Sequence, residues 1–316
     1  MKMEQRNLGN SALKVSSLCL GGNVFGWTVD QQTSFRILDE FIDLGFNFID
    51  TADVYSKWAP GNKGGDSESI IGSWLKQNNK RDQIVLTTKG GSEMGPGLKG
   101  LSSAYITKAV EDSLSRLQTN YIDLYLSHFD DLETPVEETL EAYAKLISAG
   151  KIRVIGASNF SPERLKQALD ASDKGLPKYE NFQMQYNLVE REAYEKQYAA
   201  LTAQYHVGVT TYFSLASGFL TGKYRSEKDL SKSTRGQGVK KYLNEKGIDV
   251  LTSLDNVSTR HNATPAQVAL AWIIAQPGIT APVVSATSID QLDDISKAAS
   301  LRLSAEEIAE LNEASV

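Results

Sequence analysis

Phe46-Asn47-Phe48-Ile49-Asp50-Thr51-Ala52-Asp53-Val54-Tyr55 reads as a short buried strand that runs into a carboxylate, with a tyrosine following in a loop. Side chains alternate along a strand, and its last residue can point off the end of the sheet, where barrels and open α/β sheets keep their chemistry. A phenol beside a carboxylate makes chemical sense when a cation joins them. The chain supplies a candidate at Lys89, at the end of Gln83-Ile84-Val85-Leu86-Thr87-Thr88-Lys89, which reads as another strand.

The flanks decide between barrel and open sheet. Upstream, Gly9-Asn10-Ser11 between short runs at 3–7 and 12–14 predicts a β-hairpin, and Val15 to Leu20 predicts a strand closed by Gly21-Gly22-Asn23. Phe35, Leu38, Phe41 and Ile42 fall at helical spacing between Gln31 and Leu44, and Gly45 ends that helix. Downstream, helices near 67–78 and 103–117 alternate with strands at 83–89 and Ile122 to His128. Thr134-Pro135-Val136-Glu137 predicts a capping box opening a helix that Gly150 ends. Strands follow at 152–156, 181–184, 207–212 and 280–285, with helices from Ser161-Pro162 and over 190–205 between them. A polar stretch from Arg225 to Gly238 predicts a loop over the mouth, and helices near 239–261 and 265–276 lengthen the same unit. Ser288 to Gln291 and Ser304 to Glu307 predict capping boxes for the last two helices. Eight strands, most followed by a helix, predict an α/β fold: a closed (β/α)8 TIM barrel with an N-terminal β-hairpin, extra helices near the C-terminus, and one domain over residues 1–316.

Composition narrows the function classes. With 41% apolar and 23% charged residues among 316, and no apolar run long enough for a bilayer, the chain reads as a globular protein with no membrane span. The net charge of −6 and the lack of a basic stripe argue against nucleic acid. Cys19 is the single cysteine and reads as a packed strand residue, and the opening residues Met1 to Arg6 lack the apolar core of a secretory signal. A cytoplasmic location is expected. His128, His206 and His261 stand far apart, without metal-ligand spacing, so no metal site is expected.

In a parallel barrel the C-terminal strand ends converge on one face. Asp50, Lys89, His128, Ser158, Asn159, Gln183, Tyr212 and Ser285 all stand at such ends. Each alone has a bland reading: a loop carboxylate, a solvated lysine, a buried imidazole, a helix-capping glutamine at 291. Together they suggest acid catalysis by Tyr55. Tyrosine has an ordinary pKa near 10, so Lys89 is expected to lower it while Asp50 holds Lys89 charged, and His128 can orient a carbonyl oxygen. Proton donation to a carbonyl then needs an electron source, and a hydride from a nicotinamide is the simplest.

The sequence resembles the aldo-keto reductase superfamily over nearly its whole length. Carrying the resemblance are Asn47 to Tyr55, Thr87-Thr88-Lys89, Asp123-Leu124-Tyr125-Leu126-Ser127-His128, Gly156-Ala157-Ser158-Asn159-Phe160 and Gly218-Phe219-Leu220-Thr221-Gly222-Lys223-Tyr224. The resemblance implies reversible, NAD(P)H-dependent reduction of an aldehyde or ketone, with Asp50, Tyr55, Lys89 and His128 as the catalytic tetrad and Tyr55 as proton donor. It implies that Ser158, Asn159 and Gln183 hold the nicotinamide carboxamide, that Tyr212 stacks on the ring, and that Gly21, Gly22, Asn23 and Asp50 line the same pocket. The segment from Leu215 through Ser217, Gly218 and Leu220, with Lys223, looks like the family's pyrophosphate loop, and Phe213 and Ser214, which follow the stacking Tyr212, count among the cofactor contacts. Ser285, Thr287, Gln291 and Asp294 fall at the adenosine end.

Departures from the family pattern bear on specificity. Phe213-Ser214 stands where a Ser-Pro is usual, and Ser285 to Ser288 and Gln291 stand where many members carry basic residues. NADP(H) is the expected cofactor, with NAD(H) use credible. Trp27, Tyr55, Trp58, His128 and Phe129 are expected to wall the substrate pocket. Asp130-Asp131 replaces a Trp-Pro and suggests a more polar ligand. Two rivals stay open: a nicotinamide-nucleotide-binding regulatory subunit with little turnover, and a barrel enzyme in which Lys89 forms a Schiff base. The expected partner is a small carbonyl compound. The oligomeric state is not legible.

Overall fold

A computed structural model describes residues 4–233 and 236–316. Met3, the first residue of the expected hairpin, and Thr234 and Arg235 of the expected loop lie outside the described residues, as do Met1 and Lys2. The strands are β1 (Gln5–Asn7), β2 (Lys14–Ser16), β3 (Cys19–Gly21), β4 (Phe48–Asp50), β5 (Val85–Gly90), β6 (Ile122–Ser127), β7 (Ile152–Ser158), β8 (Tyr179–Gln185), β9 (Gly208–Tyr212) and β10 (Ile279–Val284). The helices are α1 (Gln31–Asp43), α2 (Asp66–Asn78), α3 (Ser103–Leu117), α4 (Val136–Ser148), α5 (Pro162–Asp170), α6 (Ala199–Gln204), α7 (Glu245–His261), α8 (Pro265–Ala275), α9 (Ile289–Ser296) and α10 (Ala305–Ala314). Strands β3 to β10 pair in parallel in sequence order, and β10 returns to β3, closing an eight-stranded barrel wrapped by helices. This is the (β/α)8 fold expected, with the antiparallel β1–β2 hairpin before it.

The parity of the strands explains how the barrel gathers its charged groups at one end. Phe48, Val85 and Leu124 point inward and pack with Leu8 and Val15 of the hairpin, which plugs the N-terminal end. Two residues on, the same inward parity delivers Asp50 from β4, and four residues on it delivers Lys89 from β5. The alternate residues Ile49, Leu86 and Tyr125 face the helices. Apolar side chains of β4, β5 and β6 therefore meet the hairpin plug, Asn181 of β8 and Thr210 of β9 satisfy each other inside the barrel, and Asp50 and Lys89 stand at its C-terminal end.

Several boundaries differ from expectation for local reasons. The strand foreseen over Val15 to Leu20 is two elements. Ser16 bends the chain, its N–H donating to Asn47 Oδ1 at 2.8 Å and its hydroxyl to Leu18 O at 2.8 Å. Thr134 does not cap α4. Its hydroxyl donates to Asp131 Oδ2 instead, and Pro135 takes the cap position with no side-chain bond. The helix foreseen over 190–205 is a wide π turn at Tyr194–Tyr198 running into α6. The expected 239–261 helix breaks into a 3-10 turn, Gly236–Tyr242, and α7, whose N-terminus is capped by Asn244. Part of the expected loop is likewise a 3-10 turn, Glu227–Lys232. Ser304 and Glu307 form the full capping box foreseen for α10. At α9 Ser288 caps, but Gln291 turns its carbonyl to the N–H and hydroxyl of Thr287.

Candidate active site

Lys89 is the centre of the site. Its side chain is fully buried inside the barrel, and Nζ donates to Asp50 Oδ1 at 2.5 Å, to the carbonyl of Thr51 at 2.8 Å and to Tyr55 Oη at 2.8 Å. All three donor positions of an ammonium are thus used. Tyr55 in turn donates to Asp50 Oδ1 at 3.3 Å, a long contact for a hydroxyl. The second Asp50 oxygen accepts from Gln183 Nε2 at 2.9 Å. The His128 ring stands edge-on to Tyr55, with centroids 6.2 Å apart, and Ser92 Oγ lies 2.9 Å from Nδ1. A Ser92 hydroxyl donating to Nδ1 leaves the ring hydrogen on Nε2.

The electrostatics depart from the expectation in one respect. Burial pushes the Tyr55 phenol up, and this outweighs the opposite pull of Lys89, with Asp50 adding to the rise. Lys89 does pull that phenol down, as expected, but desolvation of a phenolate wins over one paired cation, so the net shift is upward. Burial opposes the Lys89 charge too, yet Asp50 and Tyr55 hold the ammonium above its ordinary value. Burial, and then the Lys89 charge, hold His128 well below the usual imidazole range. Tyr55 protonated, Lys89 charged and His128 neutral is the resting state this pattern gives across neutral pH.

Around this group the remaining strand ends interlock. Asn159, left-handed at φ 57°, donates from Nδ2 to His128 O and to Ser158 Oγ and accepts from Tyr212 Oη at 2.8 Å. Ser285 donates to Asn23 Oδ1, and a Cβ on Gly21 at the end of β3 would crowd Ser285 Oγ at 2.9 Å and Val283 Cγ1 at 3.1 Å, so a larger residue there would displace the Ser285 hydroxyl. Ser214 is buried and ties Thr211 O to Val283 O. Phe213 is half exposed beside the Tyr212 ring. Ala216, Ser217 and Gly218 are three consecutive left-handed residues, at φ 48°, 58° and 96°, near the Lys223 side chain. The N–H groups of Ala216, Gly218 and Leu220 donate to carbonyls within the turn, and the Lys223 side chain lies against Gly218, so Lys223 is the cation this stretch offers to a phosphate. Thr287 and Gln291 are exposed at the far end. Asp294 is spent on α8, accepting from Thr264 Oγ1 and Gln267 Nε2.

An aromatic wall stands beside Tyr55. Trp58, half exposed, meets Trp27 edge-to-face at 5.6 Å and Tyr55 at 6.1 Å, and Phe129, also half exposed, stacks on His128 at 5.0 Å. Asp130 and Asp131 do not make this wall polar, contrary to expectation. Arg164 of α5 donates to Asp130 Oδ1 at 2.9 Å, and Asp131 accepts from the Leu101 N–H at 2.8 Å and from Thr134. Both carboxylates are committed to holding the loop.

Two contributors to the site escaped the sequence. Ser92 fixes His128, and Ser56, left-handed at φ 68° and fully buried, follows Tyr55 and donates to Phe25 O at 2.6 Å. Neither lies in a periodic pattern; the Gly90-Gly91-Ser92 turn directly after Lys89 was the one available cue. Ser56→Ala is expected to destabilise the protein by about 1–3 kcal/mol, because Phe25 O loses its buried donor while the strained backbone stays, and thermal denaturation checks it. Among the described residues, no three His, Cys, Asp or Glu side chains gather as a metal site, and no helix is long and apolar enough to cross a membrane.

Comparison with known proteins agrees with this geometry. The profile of the "Aldo/keto reductase family" matches residues 17–316. The chain is 36% identical to "Uncharacterized oxidoreductase YrpG" of Bacillus subtilis, covering 98% of this chain and 95% of that protein. It is 30% identical to "Aldo-keto reductase yakc [NADP(+)]" of Schizosaccharomyces pombe, over 99% of this chain and 92% of that one. It is also 34% identical to a "Probable voltage-gated potassium channel subunit beta" of Arabidopsis thaliana, over 94% and 91%. With a closed eight-stranded barrel, an aspartate, lysine and tyrosine bonded together at its mouth, and a profile match from residue 17 to the last residue, the chain belongs to the aldo/keto reductase family.

Proposed function

We propose that the protein reduces an aldehyde or ketone to the alcohol, reversibly, using NADPH, with Tyr55 as proton donor. The observation that carries this is the Lys89 ammonium lying 2.5 Å from Asp50 and 2.8 Å from the Tyr55 hydroxyl at the barrel mouth. A bound nicotinamide would supply the hydride. His128, neutral and oriented by Ser92, donates from Nε2 to the substrate oxygen and fixes the carbonyl beside Tyr55. Tyr55 then gives its proton to the developing alkoxide. Lys89 matters at that moment: its charge is too weak to make the resting phenol acidic, but it stabilises the phenolate that forms at 2.8 Å. Asp50 holds Lys89 charged and in place. Leu215 to Leu220 with Lys223 would bind the pyrophosphate, Ser158, Asn159 and Gln183 the carboxamide, and Tyr212 the ring face.

The NADP preference draws on the yeast relative's name, while the uncharged Thr287 and Gln291 leave NADH in play. The aromatic wall suits an apolar group or the face of a sugar. A cytoplasmic location accords with a single, buried cysteine. Assays of aldehydes, ketones and reducing sugars with NADPH and NADH separately test the reading. Turnover of at least one class is expected, with a lower KM for NADPH.

One rival has an observation of its own, the similarity to a plant potassium-channel subunit. Tight binding of NADPH with negligible turnover across the panel would favour that regulatory reading. The Schiff-base alternative requires a neutral amine, whereas Asp50 holds Lys89 charged, so borohydride is expected to trap no substrate on Lys89.

A further inference from the structure

Behind the site, on the outer face of β4 and β5, lies a second buried charge cluster that the chemistry above does not use. Asp53 is 2% exposed and Glu68 of α2 is fully buried. Glu68 is well satisfied: Oε1 accepts from Thr88 Oγ1 at 2.6 Å and Oε2 from Arg116 Nε of α3 at 2.6 Å. Asp53 is not, because its Oδ1 is buried without a hydrogen-bond partner. Asp53, however, sits two residues before Tyr55, and its backbone N–H donates to the carbonyl of Lys89 at 3.0 Å. Thr88, which grips Glu68, directly precedes Lys89. The cluster therefore holds both the turn bearing the phenol and the strand bearing the ammonium.

Charge balance identifies the protonated member. Asp50, Asp53 and Glu68 are three buried acids served by two buried or half-buried cations, Lys89 and Arg116, and each cation bonds directly to one of the others. A third carboxylate without partner would be costly, and a proton removes that cost. Of these three acids it is Asp53 that has an unpartnered oxygen; Asp66, half-buried at the start of α2, has another. Burial and the neighbouring Glu68 push its carboxyl up to about 8, against the opposing pull of Arg116, the Val54 N–H and Lys89. The other titratable groups that feel it are Tyr105 of α3 and Tyr125 of β6, both raised by burial first.

We propose that Asp53 is a positioning residue for the Lys89–Tyr55 pair, and that loss of its proton sets the alkaline limit of carbonyl reduction. Ionised, Asp53 places a second negative charge against Glu68, loosens the 51–55 turn, and adds to the field that disfavours a Tyr55 phenolate. The group also costs stability. Its folded-state value lies above the ordinary 3.8, so the folded protein keeps a proton that the unfolded chain releases. Stability falls as pH rises from about 4 to about 8 and is flat beyond, as far as this residue governs it. An acid kept at such a cost beside a reactive pair marks function more than architecture.

The inference rests on the reductase reading and is tested so that the two can fail separately. In the wild type, kcat for reduction with NADPH is expected to fall above pH 8, by about tenfold per unit for one ionisation. Asp53→Asn keeps the shape and cannot ionise. It should lower kcat a few-fold at pH 7, leave the NADPH Kd unchanged by fluorescence, move the alkaline limb up by at least one pH unit, and raise Tm at pH 8 relative to the wild type. Glu68→Gln removes the like charge and should move the limb the other way, to lower pH. Limbs that coincide in wild type and Asp53→Asn overturn the Asp53 role while leaving the reductase reading intact. Absence of turnover in the wild type overturns the reductase reading and the catalytic half of this one with it.

Discussion

Tyr55→Phe is expected to lower kcat for carbonyl reduction by about 10²–10⁴-fold, the range that a positioned general acid contributes, with little change in cofactor affinity. The geometry separates these effects. The phenol hydrogen is weakly committed, its contact with Asp50 being 3.3 Å, so it is available to a substrate oxygen. Phenylalanine keeps the ring that faces Trp58 and His128 and that lies 4.5 Å from Lys89 Nζ. Lys89 keeps Asp50 and the Thr51 carbonyl. The fold should therefore lose only about 1 kcal/mol for one hydrogen bond. Steady-state kinetics with NADPH, NADPH fluorescence titration and a thermal melt measure the three quantities. A variant that turns over at the wild-type rate would remove Tyr55 from its assigned role.

The barrel and its polar rim were legible because two local rules act together. Strand parity is fixed by the backbone, so Phe48 and Asp50, or Val85 and Lys89, must share a face whatever surrounds them. Glycines at 21, 22, 45 and 150 punctuate the alternation at positions the sequence displays. What stayed hidden depends on partners far apart in the chain. The bend that splits the expected strand at Ser16 is made by Asn47, 31 residues on. Asp130-Asp131 read as a free acidic patch because Arg164, on α5, gives no sign in sequence that it pairs with Asp130. Glu68 and Arg116 look like two solvated helical charges, and only the packing of α2 on α3 shows them to be a buried pair 48 residues apart. Even the electrostatics of Tyr55 followed this division: its neighbours could be named in advance, but the balance of burial against a single cation needed the cavity itself.

Lys89→Met should be at least as damaging to activity as Tyr55→Phe and far more damaging to the fold. The side chain is fully buried, and its removal leaves the Asp50 carboxylate, 1% exposed, with the Gln183 amide and the Tyr55 hydroxyl but no opposing charge bonded to it. Breaking a buried pair on one side costs about 3–5 kcal/mol. The pH dependence has a definite sign. The Lys89 ammonium is held above its ordinary 10.5, so the folded protein retains a proton that the unfolded chain gives up near that pH. The pair's contribution is complete below pH 10.5 and disappears as pH rises through the folded value, so the variant's deficit in Tm should be constant from pH 6 to 9 and shrink only in strong alkali. Combining Lys89→Met with Asp50→Asn separates chemistry from stability, since neutralising both partners removes the uncompensated charge. The double variant should regain most of the lost Tm and none of the activity, because the phenolate that Tyr55 becomes still lacks its cation. Recovery of kcat along with Tm would mean that Lys89 serves the fold alone, and the proton-donor reading of Tyr55 would lose the neighbour on which it depends.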